Sequence, residues 1–122
     1  MDDALAYVAG GLVGLWGVAH AIPTPQVVAG FEPISDDNRR VLVQEWLVEA
    51  FTMWGIAALV IATAAGEDST ANDIVYRVSA GLLVAIAALT AVTGARTPVI
   101  WFKICPVLLG TSAVLLLVAS FL

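Results

Sequence analysis

Four apolar stretches joined by short polar connections predict an all-α integral membrane four-helix bundle with up-down topology. Three observations carry that expectation. Of 122 residues, 61% are hydrophobic and only 12% charged, about half of the roughly 25% charged share that keeps a soluble domain wet. The mean hydropathy is +0.97. Each apolar stretch also approaches the roughly 20 residues that cross about 30 Å of hydrocarbon at 1.5 Å per residue. The spans fall at about 4–22, 46–65, 76–95 and 100–121, and the whole of 1–122 reads as a single transmembrane domain with short loops and no room for a soluble one.

The first span begins behind Asp2 and Asp3, which suit the positive end of a helix dipole, and stops at Pro23-Thr24-Pro25, where two pyrrolidine rings oppose continuation. It has no Lys or Arg ahead of it and is longer than the 7–15 apolar residues of a signal peptide, so it reads as a retained helix. The second helix is expected to begin near residue 36, well before the hydrocarbon, because Ser35 is a good N-cap and Asp36 and Asp37 complement the first turn. No Pro or Gly interrupts residues 36–54, so no kink is expected there. In the fourth span Cys105-Pro106 marks a packed cysteine and a kink.

In lipid, helices approach through small residues. Gly10, Gly14, Gly17 and Ala21 lie within about 60° of one another on a helical wheel and supply such a stripe on the first helix. Gly55, Ala58, Ala62 and Ala65 do so on the second, and Ala80, Ala87 and Ala91 on the third. These stripes predict tight packing within one bundle, with a homodimer seam or a membrane-complex partner as the sharper reading.

Counting only Lys and Arg sets the expected orientation. The loops after the first and third spans hold Arg39, Arg40, Arg96 and Lys103, whereas the other side holds only Arg77. Four against one puts those loops in the cytoplasm and both termini outside, in a plasma membrane. Trp46 and Trp101 are expected in the aromatic belt on that side, Tyr7 and Tyr76 on the opposite one, and Trp54 against lipid.

The net charge of −5, from five basic and ten acidic residues, leaves no basic patch for phosphates and excludes nucleic acid as a partner. One cysteine, Cys105, excludes an intramolecular disulfide, a CxxC redox pair and a cysteine-based zinc site. No motif points to a characterised family, and nothing in the sequence identifies a cofactor.

The ionisable residues inside the spans are the functional candidates, because a charge facing lipid costs a few kcal/mol. His20 lies near the end of the first helix. Glu45 and Glu49 are one turn apart at the entry of the second, about 40° apart on the wheel. Arg96 closes the third helix and Lys103 opens the fourth. Antiparallel helices bring all five to one leaflet. Thr52, Ile56 and Thr63 continue the Glu49 face, and Thr90, Thr93 and Thr97 form a comparable stripe, either lining a polar cleft or bonding back to their own helices.

The expected ligand-binding set is therefore Trp16, His20, Glu45, Glu49, Thr52 and Arg96, receiving a small lipophilic or amphipathic molecule from the bilayer. In an acid–base version Glu49 is the catalytic base or acid and His20 its proton partner, acting on a lipid-soluble substrate as an isomerase would. The alternatives are a proton-coupled transporter and an accessory or structural subunit of a membrane complex. A metal site is not favoured, because one His and two carboxylates at this spacing form no established ligand set. The loop from His20 to Pro33, stiffened by its three prolines and Gly30, is expected to serve as a rigid interfacial turn or as a lid over the cleft.

Overall fold

The computed structural model describes residues 2–122, with side chains from Asp3 onward; the side chain of Asp2 lies outside the described residues. The elements are α1 (Asp2–Ala21), α2 (Thr24–Ala29), α3 (Asp36–Ala64), α4 (Thr70–Val92), a 3-10 turn (Gly94–Arg96) and α5 (Ile100–Ala119). Among the described residues, α1, α3, α5 and α4 extended through the 3-10 turn are long and apolar enough to cross a membrane. The chain is a small all-α membrane protein in a four-helix arrangement.

The helices outrun the apolar stretches at their polar ends. Ser35 caps α3 by accepting from the Asn38 backbone N–H at 3.2 Å, and Asp36 and Asp37 occupy the first turn. α4 begins six residues before Tyr76, behind Ser69. Hydropathy marks where a helix enters hydrocarbon; capping marks where it starts. α4 also ends early, at Val92, where Thr93 leaves helical geometry with φ −121° and ψ −89°. α5 runs uninterrupted through Pro106; such a proline removes one intrahelical bond, which packed membrane helices tolerate. The Pro23-Thr24-Pro25 stop does double duty: it ends α1, and a proline then opens α2, where a fixed φ and a missing N–H are harmless. The connector expected to be a rigid turn is thus partly helical.

α1 packs against both α3 and α5, and α5 against α4, whereas α3 and α4 meet only sparsely. The α1–α3 contact is built from small residues. Gly10, Gly14 and Gly17 face Ala57, Ile61 and Trp54, as the glycine stripe predicts. α3 answers with Ala50, Met53, Ala57, Val60 and Ala64, spaced alternately three and four apart and all buried. The expected stripe of Gly55, Ala58, Ala62 and Ala65 is exposed instead, because the Ala50 heptad offers both small residues and the larger Met53 and Val60 to fill the seam. On α4, Ala80 and Ala87 are buried with Leu83, and Ala91 is exposed.

Two aromatic expectations are corrected. Trp54 does not turn to lipid: its indole N–H donates to the Gly14 carbonyl at 3.2 Å and its ring lies over Gly17, where the absence of a side chain exposes backbone. Tyr76 is buried in the core rather than at the interface. Trp101 and Tyr7 are exposed.

A Cβ at Gly17 would lie 2.6 Å from the Trp54 indole nitrogen and 3.3 Å from the Ala50 carbonyl. Gly17→Ala is therefore expected to displace the indole and cost about 1–3 kcal/mol. Gly55→Ala, with nothing within 4 Å, is expected to be neutral or slightly stabilising. Thermal unfolding of both variants in detergent checks the contrast.

Candidate functional site

α1 ends with carbonyls that have no intrahelical partner, and in hydrocarbon water does not supply one. Trp46 of α3 does: its indole N–H donates to the His20 carbonyl at 2.8 Å. The exchange is reciprocal. His20 Nε2 lies 3.0 Å from the Trp46 carbonyl, and since a carbonyl only accepts, Nε2 carries the proton. The two rings stack with centroids 3.9 Å apart and planes 16° from parallel. The edge of Phe102 closes on Trp46 from α5, with centroids 6.2 Å apart. Glu49, one turn further along α3, brings Oε2 to 3.5 Å from the same His20 nitrogen. His20 is buried and Glu49 half-buried.

These groups border a cavity of about 1090 Å³ between α3 and α4, roofed by α2 and the segment after it. Asn72 ties the α3–α4 hairpin at the opposite end, donating to the carbonyls of Thr63 at 3.5 Å and Glu67 at 3.2 Å. The space between the two helices therefore widens toward the His20 end. Leu82, Ile86 and Leu89 make its apolar wall, Val27 and Phe31 its roof, and Trp16 and Cys105 lie in its lining.

Of the residues expected to form a site, Trp16, His20, Glu45, Glu49 and Thr52 all border this cavity. Glu45 is exposed and accepts from its neighbour Gln44 at 3.2 Å. Arg96 does not join them: it sits exposed on the 3-10 turn, because α4 ends before reaching it. Lys103 is likewise diverted, donating to the Ala95 carbonyl at 2.6 Å. Arg39 pairs with Glu32, and Arg40 with Asp37. Among the described residues neither Glu45 nor Glu49 has an arginine partner. Three of the threonines bond back to their own helices, the second of the two alternatives. Thr52 donates to Val48, Thr90 to Ile86 and Thr93 to Leu89, each at 2.6–2.9 Å, while all three border the cavity. Ile56 is absorbed into the core.

Sequence reasoning missed Trp46, assigning it to an interfacial belt, and missed Phe102 and Leu89. The 26-residue separation of His20 and Trp46 leaves no periodic signal. The available clue was depth, since antiparallel helices entering hydrocarbon at Trp46 and leaving it near His20 put the two at one level.

At the other end a smaller recess of about 340 Å³ is bordered by Asp3, Asp68, Asn72, Asp73 and Tyr76. Among the described residues no group of three or more His, Cys, Asp or Glu side chains is placed to hold a metal ion. No family model, curated protein or solved structure matches the chain.

Trp46→Phe keeps an aromatic ring but removes the N–H that satisfies the His20 carbonyl. It is expected to cost about 1 kcal/mol, within the range of interhelical hydrogen bonds in membranes. His20→Phe is expected to cost a similar amount, and the double variant less than the sum, since each change breaks the same clamp. Unfolding free energies of the three variants in detergent measure that coupling.

Proposed function

We propose that the protein binds one small amphipathic molecule of the bilayer in the cleft between α3 and α4. The observation that carries this reading is the pairing of a large apolar space with a polar edge: Leu82, Ile86, Leu89, Val27 and Phe31 would surround a tail, while His20 and Glu49 would meet a head group. Small-molecule sites have this composition, mostly apolar with a few placed polar groups. The sparse α3–α4 contact gives a lateral route from the lipid, so the molecule need not pass through water. His20 and Glu49 would act by hydrogen bonding and charge: a carboxylate 3.5 Å from a ring N–H is electrostatic support rather than a tight bond.

The test fills the cleft without disturbing the clamp. Leu89 is 62% exposed, so Leu89→Trp places bulk in the space at little cost to the core. Native mass spectrometry of the protein incubated with monopalmitin is expected to show a single saturable adduct for the parent chain. Leu89→Trp is expected to lose it with the thermal midpoint preserved. Equal adducts in both would argue against the cleft as the binding place.

The His20 end is proposed to face the cytoplasm, on the excess of Arg39, Arg40, Arg96 and Lys103 over Arg77. In a Cys105→Ser background, Ser69→Cys is then expected to react with a membrane-impermeant maleimide added outside intact cells, and Thr97→Cys only after lysis.

A further inference from the structure

The side-chain charges that border the cleft are acidic. Glu45 and Glu49 lie in its lining and, among the described residues, no lysine or arginine does. The basic side chains are placed elsewhere: Arg39 on Glu32, Arg40 on Asp37, Lys103 on the Ala95 carbonyl, Arg77 on Ser120, and Arg96 exposed on the 3-10 turn. His20 Nε2 lies 3.5 Å from Glu49 Oε2, yet even a protonated His20 would offset only one of the two carboxylates. The edge stays negative whichever state that ring takes.

Glu45 and Glu49 are one turn of α3 apart, with a Cβ spacing of roughly 6 Å. Glu49 is half-buried and borders the same space as the apolar side chains of Leu82, Ile86 and Leu89. A charge at such a boundary is less screened than one in open water, so it acts more strongly on a charged neighbour. Trp46, Trp101 and Phe102 also border the space, and the face of an aromatic ring attracts a cation within about 6 Å of its centroid. Carboxylates and rings favour the same guest. An anionic head group would meet repulsion here, and an uncharged one would use neither attraction. We infer that the cleft selects amphipathic cations, with an apolar chain along the wall and an ammonium group beside Glu45 and Glu49. This rests on the binding reading above and adds the charge of the guest. Glu49 is then a specificity-determining residue through its charge, separate from the paired His20–Trp46 hydrogen bonds that hold the helices. The ammonium has two sources, the head group of a zwitterionic bilayer lipid or a free lipophilic amine.

The test compares decyltrimethylammonium with its uncharged carbon isostere, 2,2-dimethyldodecane. Each is titrated into the protein in nanodiscs of digalactosyldiacylglycerol, a lipid without ammonium groups. The indole ¹H–¹⁵N resonances of the four tryptophans, assigned by single Trp→Phe variants, report occupancy. The cation is expected to move the Trp46 signal and to saturate at a concentration about tenfold below the isostere. Glu45→Gln/Glu49→Gln is expected to weaken saturation by the cation about tenfold, with no matching loss for the isostere. Glu67→Gln/Asp68→Asn removes the same charge from the exposed loop at the other end of α3 and is expected to leave both titrations unchanged. In phosphatidylcholine nanodiscs, a diminished response to the cation assigns the ammonium to lipid head groups, and an undiminished one assigns it to a free amine. Equal saturation by the two compounds, or an equal loss in the Glu67→Gln/Asp68→Asn variant, overturns the preference for cations while the cleft reading survives. If neither compound moves any of the four signals, both fall.

Discussion

A helix end leaves carbonyls without intrahelical partners, and here one of them is answered from across the seam. The Trp46 N–H caps the His20 carbonyl while the His20 ring donates its Nε2–H to the Trp46 carbonyl, the two rings stacked between. The exchange fixes the vertical register of α1 on α3. Everything else at this end is placed by it: Glu49 meets His20 because it lies one turn beyond Trp46, and Trp16 borders the cleft because it lies one turn before His20. Gly10, Gly14 and Gly17 complete the seam by letting the two backbones close. A slip of one residue would carry Trp54 off the Gly14 carbonyl as well.

Two of the five cations serve the same need rather than a site. Arg77 of α4 donates to the Ser120 hydroxyl at 3.1 Å and to its carbonyl at 2.7 Å, and stacks on Phe121 with its guanidinium carbon 4.6 Å from the ring centroid. Lys103 holds the Ala95 carbonyl. Each reaches a backbone oxygen at a chain reversal or helix end, where the macrodipole is negative. The carboxylates Glu45 and Glu49 are left without Lys or Arg partners among the described residues, at the edge of an otherwise apolar space.

What the sequence made legible followed from local rules. The four helices, the Ser35 cap, the glycine face of α1 and the gathering of His20, Glu45, Glu49, Thr52 and Trp16 all rest on spacing along one helix or on antiparallel depth. What it concealed needed rotation about each helix axis. Gly55, Ala58, Ala62 and Ala65 form as good a stripe as Ala50, Ala57 and Ala64, and only packing against α1 chooses between them. Arg96 seemed part of the cluster because hydropathy does not register that α4 unwinds at Thr93. Trp54 looked lipid-facing because apolarity on a membrane helix does not distinguish lipid from a glycine groove.

The tie at Asn72 gives α4 the mechanics of a lever. With 23 residues, α4 is roughly 35 Å long at 1.5 Å per residue, and its anchored end is at the first turn. A tilt of about 5° about that point would carry Leu89 and Thr93 sideways by roughly 2–3 Å, and Tyr76 and Ser79 by about 1 Å or less. Residues near the hairpin would move least, while the far end changed width by a good part of the thickness of a hydrocarbon chain. On the proposed reading, a guest would be admitted at the end of the bundle that lies farthest from this tie.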